Sequence, residues 1–171
     1  MRVNFQAIEK FVDDVKKDPE LVIKQKSVTG QCNFQEGRPH FEATVEYAKG
    51  TNKIASDQPP FMGGGGTAPD PVNYCLYGTA ACFAGTMMVV LAQHNLTVDK
   101  LAVTAFNQVN LSKPLGLGDF PIVDKVGIRI HFAGPITEQQ MNSVVAEAVE
   151  TCPGAYCISH AIPLETSVVK E

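Results

Sequence analysis

The sequence contains no tryptophan and only three arginines, Arg2, Arg38 and Arg129. Charged residues make up 19% of the 171 positions, and the only tight basic groupings are Lys16-Lys17 and the pair Lys24 and Lys26. With a net charge of −4, this excludes binding of a phosphate backbone as the main task, which needs a concentrated positive face, so no nucleic-acid partner is expected. The opening run MRVNFQAIEKFVDD lacks an apolar stretch of signal-peptide length and turns acidic quickly, so a cytoplasmic location with reduced thiols is expected. The glycine run Gly63–Gly66 is not followed by Gly-Lys-Ser/Thr, which removes the nucleotide-loop reading and leaves a plain flexible loop. The five cysteines, Cys32, Cys75, Cys82, Cys152 and Cys157, are odd in number and occur in a chain too long to need disulfide staples. Their spacings also miss the two-residue separation of most zinc knuckles, so no metal and no cofactor are expected.

What is present supports one α+β domain with a sizeable core, since apolar residues reach 44%. Phe5, Ile8, Val12 and Val15 predict an amphipathic helix over 3–17. Residues 21–33 read as extended, and EGRP (36–39) as a turn. Phe41, Ala43, Val45 and Tyr47 alternate with polar residues, predicting a half-buried strand, with a hairpin through 49–52 into 53–57. Leu101–Val109 and Lys125–Phe132 are two further strands; the second places Val126, Ile128, Ile130 and Phe132 on one face and Arg129 on the other. Thr137 and Gln140 form a capping-box signature for a last helix. Its apolar stripe runs Met141, Val144, Val145, Ala148, Val149 and Cys152, and Pro153-Gly154 is expected to stop it.

Between Pro71 and Ala92 no residue is charged. Asp70-Pro71 suits a helix start and Asn95 a helix end. The run is long enough to span a bilayer, but its flanks lack the basic bias and aromatic belts of a membrane span, and it is rich in small and polar residues. A helix buried on all sides in a soluble protein is the better reading, with no membrane partner. Ala81 and Gly85, with Gly78 a turn before Cys82, suit close approach of another helix, and one domain of this size has few elements to wrap so long a helix. A symmetric homodimer would supply the cover. Cys75 and Cys82, seven residues apart, share a helix face, and Cys152 ends the other stripe, so all three are expected to point inward. Buried thiols of this kind are core hydrophobes, metal ligands or a redox pair.

The segment APDPVNYCLYGTAACFAGTMM (68–88) resembles the signature of the OsmC/Ohr family, the osmotically induced and organic-hydroperoxide-resistance proteins. ETCPGAYCISHAI (150–162) resembles the family's second motif, a Cys-Pro after an amphipathic helix. The resemblance runs from about residue 26 to 165, which makes residues 1–20 an N-terminal helical extension and residues 21–171 the OsmC-like domain. It implies an α+β fold with antiparallel sheets wrapped around a long buried central helix, in an intertwined homodimer. It further implies thiol-dependent reduction of organic hydroperoxides, with an external dithiol as reductant.

On that resemblance Cys82 is the attacking cysteine and Cys152 the resolving one. Cys157 is extra, and the ISHAI after it matches the motif's tail as well, so Cys157 is a second candidate resolver. A thiolate attacks the peroxide, and a thiol is mostly protonated at neutral pH, so a cation held by a carboxylate is needed. Arg38 falls in the region of the family's arginine. Asp70 stands where the family has a glutamate, though an aspartate before proline at a helix start is first of all a cap. Phe83, Met87, Met88 and Leu76 are candidate linings of an apolar peroxide pocket, each equally accounted for by core packing. Two alternatives remain open at this point: an OsmC-like redox-sensing or binding protein without efficient peroxidase activity, its N-terminal helix docking a partner, and a cysteine-rich metal-binding dimer.

Overall fold

The computed structural model describes residues 3–170. These divide into two compact units, residues 6–75 and residues 76–170 together with 3–5.

In the first unit, helix α1 (Phe5–Lys17) carries the predicted apolar stripe, but none of its residues is buried. A short 3-10 turn at Pro19–Val22 follows, capped by the Asp18 side chain. Three antiparallel strands then pair in the order β1 (Gly30–Cys32), β2 (Phe41–Tyr47), β3 (Gly50–Ser56). The β2–β3 hairpin closes one residue pair tighter than its sequence suggests: Tyr47 already faces Gly50 across Ala48-Lys49. Ala43 is the one buried apolar side chain of this sheet; Phe41 and Tyr47, at the ends of the expected inner face, are exposed.

The glycine run corrects an expectation: it is a pinned loop. Thr67 donates from both its backbone N–H (2.9 Å) and its hydroxyl (2.8 Å) to Asp57 Oδ2. The Gly66 N–H donates to the Gln58 carbonyl at 3.2 Å. A Cβ at Gly64 would lie 1.9 Å from that same carbonyl oxygen, so the loop closes only because no side chain is there. Asp57 is 1% exposed, and its Oδ1 lies 2.9 Å from His40 Nδ1, an electrostatic contact rather than an aligned hydrogen bond. The two hydrogen bonds from Thr67, aided by the His40 charge, hold the carboxyl below its ordinary range against the opposing effect of burial.

Helix α2 (Pro71–Gln93) starts as expected: Asp70 Oδ1 accepts from the Val72 N–H at 2.6 Å. It ends in a Schellman motif. Asn95 takes the left-handed conformation at φ 53°, its N–H reaches the Ala92 carbonyl (3.1 Å), and the Leu96 N–H reaches the Leu91 carbonyl (2.9 Å). Burial on all sides is not found within the chain. Only Phe83, Met87, Val90 and Leu91 are buried, while Tyr77 is 72% exposed. A Cβ at Gly78 or Gly85 would meet nothing within 4 Å, so the small residues lie on the uncovered side. Among the described residues α2 is the one helix long and apolar enough to cross a membrane, by length and composition alone.

In the second unit, strands β4 (Lys100–Val109) and β5 (Val123–Ala133) form an antiparallel ribbon with an irregularity between Asn107 and Val109. Leu101, Val103, Ile128, Ile130 and Phe132 turn toward the core. On the opposite face the Phe106 ring occupies the space a side chain at Gly127 would fill, and the Arg129 guanidinium sits 5.2 Å from the ring centroid. Helix α3 (Glu138–Thr151) has the full capping box of Thr137 and Gln140. Met141, Val144, Ala148 and Cys152 are buried against α2, whereas Val149 is exposed. His94 Nε2 and Glu147 Oε2, 2.7 Å apart, tie the two helices at the surface.

Pro153 ends α3 but opens another helix, α4 (Pro153–Ser159), which the sequence reading missed. Cys152, in extended conformation at φ −84° and ψ 118°, is the C-cap of one helix and the N-cap of the next.

Candidate functional site: a thiol pair at a helix junction

Cys82 lies in the middle of α2, one residue before the buried Phe83 and one turn before Thr86. Cys152 lies at the α3–α4 junction. The two sulfurs are 3.6 Å apart, within a sulfur hydrogen bond and outside the covalent distance of about 2.05 Å. What lets the helices meet is Gly154: a Cβ there would stand 3.1 Å from the Cys82 Cβ and 3.3 Å from its Sγ.

The two thiols differ in access and in electrostatics. Cys82 is half-buried; Cys152 is 1% exposed. Burial pushes the Cys82 thiol up; the Gly154 N–H opposes this, and the Cys152 and Cys157 thiolates reinforce it. Burial acts on Cys152 too, but there it is outweighed. The Ala155 N–H, the Thr86 hydroxyl, the Cys82 thiol and the Gly154 N–H all favour its thiolate, holding Cys152 below the ordinary thiol range. The Ala155 N–H reaches the Cys152 Sγ at 3.5 Å, the geometry of an N-cap with sulfur in place of oxygen. Of the two thiols, Cys152 is therefore the more readily ionised and Cys82 the less.

Thr86 is a functional candidate that sequence reasoning missed. Its single hydroxyl hydrogen has two competing acceptors, the Cys82 carbonyl at 3.1 Å and the Cys152 sulfur. The available signal was its spacing, four residues after Cys82, on the same helix face.

The other expected site residues fall elsewhere. Cys157 is on α4 and exposed; Cys75, expected inward, is exposed as well. Asp70 caps α2 and belongs, like Arg38, to the unit of residues 6–75. Arg38 is exposed in the turn between β1 and β2, and its backbone N–H bonds to the Gln35 carbonyl at 3.3 Å. Arg2 lies outside the described residues. Among the described residues no lysine or arginine contributes to the shift of either thiol; the groups that favour the Cys152 thiolate are two backbone N–H groups, the Thr86 hydroxyl and the Cys82 thiol. Phe83 and Met87 are core residues, while Met88 is 39% exposed. His160 stacks on Tyr156 with ring centroids 3.9 Å apart, at the exposed end of α4. Among the described residues no group of three or more histidine, cysteine or acidic side chains converges as a metal site would.

An α+β chain that holds a half-buried thiol against a buried, charge-stabilised one defines a class, the two-cysteine thiol proteins. The family is narrower: the model of OsmC-like proteins matches residues 63–167, more than half of the chain and all of the thiol site, and the chain belongs to that family. Solved structures of similar fold include an organic hydroperoxide resistance protein OsmC from Legionella pneumophila (22% identity, 80% of this chain and 91% of that one, TM-score 0.56). Another is an OsmC-like protein from Mycoplasma pneumoniae (15% identity, 80% and 88% covered, TM-score 0.59). A third, from Vibrio cholerae, is described as an organic hydroperoxide resistance protein with captopril bound in one of its active sites (19% identity, 80% and 86% covered, TM-score 0.55). At these identities the likeness establishes the fold, antiparallel sheets with helices. No curated protein matches the sequence.

Proposed function

We propose that the protein reduces organic hydroperoxides with its own thiols. The observation that carries the reading is the 3.6 Å approach of Cys82 to Cys152 in a chain of this family. Cys82 is the nucleophile because it is the accessible member. Its sulfur attacks the outer oxygen of ROOH; the S–O bond forms as the O–O bond breaks, and sulfur is oxidised by two electrons. The Cys82 proton passes to the Cys152 thiolate and from there to the departing alkoxide, giving ROH. Cys152, again a thiolate, attacks the sulfenic sulfur; the S–S bond forms and hydroxide leaves, taking up a proton as water. An external dithiol returns the two electrons and two protons.

In this reading Cys152 is base as well as resolver, which compensates for the absence of a cation beside Cys82 in the same unit. Asp70 is a helix cap. The uncovered side of α2, with the open approach at Gly78 and Gly85, supports pairing with a second copy as a homodimer. Residues 1–20 are an addition to the OsmC-like domain.

The test is anaerobic stopped-flow oxidation by cumene hydroperoxide. Cys82→Ser is expected to abolish the fast reaction. Cys152→Ser is expected to slow the first oxidation as well as to prevent the disulfide, because the proton acceptor is lost with the resolver. Fast oxidation that survives loss of Cys82 overturns the assignment. The same missing cation favours a second reading, a redox-sensing or binding protein, and a wild-type rate no faster than that of cysteine in solution selects it.

A further inference from the structure

Cys152 is 1% exposed, so in a disulfide with Cys82 the half-buried Cys82 sulfur is the more open to a thiol. The chain has another thiol beside the pair. Gly154 packs against Cys82, with 3.1 Å between its Cβ position and the Cys82 Cβ. Cys157 follows three residues later on α4, so it occupies the same helix face, one turn on, toward the same stretch of α2. Cys157 is exposed, and its charge is felt at the Cys82 sulfur, where it helps push that thiol up.

We propose that Cys157 is an exit thiol, which moves the disulfide from the buried Cys82–Cys152 pair to an exposed Cys82–Cys157 pair where an external dithiol reduces it. This rests on the peroxidase reading for its oxidant, the hydroperoxide. The step is a thiol–disulfide exchange: the Cys157 thiolate attacks Cys82 Sγ, the new S–S bond forms, the old one breaks, and its electron pair leaves on Cys152. No net oxidation occurs. The donors around Cys152 make it the better leaving group, since exchange runs fastest when the departing thiolate is stabilised. Movement of α4 is inherent in the reaction. The helix has seven residues, too few to be stable alone, and its N-cap is the Cys152 sulfur. A disulfide there withdraws the charge that the Ala155 N–H binds, which loosens the turn and lets Cys157 close in.

The experiment uses the full chain oxidised in two parallel arms, by one equivalent of cumene hydroperoxide and by diamide, then quenched at intervals with N-ethylmaleimide and mapped by peptide mass spectrometry. The expected course is Cys82–Cys152 first and Cys82–Cys157 after it. Cys157→Ser and Cys157→Ala are expected still to form the first disulfide yet turn over at least tenfold more slowly with dithiothreitol. Absence of a Cys82–Cys157 peptide in the diamide arm, or wild-type turnover by both variants, overturns the proposal. Exchange in the diamide arm alone, with no reaction toward peroxide, upholds the exit thiol and removes the peroxidase reading.

Discussion

Gly154 is the wedge point of the thiol site, and Gly154→Ala tests whether sulfur packing governs disulfide closure. Its φ is not in the left-handed region, so the backbone itself accepts alanine. The added methyl would stand 3.1 Å from the Cys82 Cβ, 3.3 Å from its Sγ and 3.7 Å from the Cys152 Sγ. Carbon atoms rest at about 3.5–4.0 Å, so relief requires a shift of roughly 0.4–0.9 Å between α4 and α2. Overpacking of this kind costs about 1–3 kcal/mol, offset by up to about 1 kcal/mol of helix propensity gained over glycine. The net stability loss is therefore expected below about 2 kcal/mol, small enough to leave the fold intact. Closure suffers more, because misplacement by about 1 Å costs on the order of a hundredfold in rate. The disulfide is expected to form about 10- to 100-fold more slowly, with sulfenic acid accumulating on Cys82 and trapped by dimedone. Stopped-flow and quenched mass mapping read both. Closure at the wild-type rate in a folded variant would refute the argument.

Two further predictions concern stability. Met87 is fully buried with Phe83 and Leu91 one turn to either side, so Met87→Ala is expected to cost about 2–5 kcal/mol in urea unfolding; a loss below about 1 kcal/mol would mean the core is not where we place it. The Asp57 carboxyl is held below its ordinary value of 3.8, so its contribution is fully present above that pH and disappears as pH falls through the lower folded value. Asp57→Asn is expected to remove this acid-limb dependence and to raise amide exchange at Thr67. An unchanged acid limb in the variant would show that the Thr67 hydrogen bonds do not stabilise the charge.

The signals read correctly in the sequence were local ones. Asp70 and the Thr137–Gln140 box satisfy orphaned backbone N–H groups with a nearby side chain, Asn95 closes its helix by taking the left-handed conformation, and three helix ends followed from them. Alternation sufficed for β4 and β5, whose one face meets the core. Pairing of Cys82 with Cys152 followed from two apolar helix faces and a family motif. What escaped depends on three-dimensional company. Proline after Cys152 reads equally as a stop or as the first position of a new helix, and only the sulfur cap decides. The glycine run reads as freedom until the buried Asp57 is seen to hold it. Val149 fits the stripe of α3 by spacing but has no neighbour to cover it. The donors that favour the Cys152 thiolate escaped as well, since two of them are backbone N–H groups, which have no sequence signature.

The sheet of β1, β2 and β3 has a consequence for how this polypeptide is made. With Ala43 as its single buried apolar side chain and with Phe34, Phe41 and Tyr47 open to water, residues 6–75 carry no interior that would repay the entropy of ordering them. A fragment ending at Cys75 would stay unfolded after synthesis, its strands forming only once more of the polypeptide had been made.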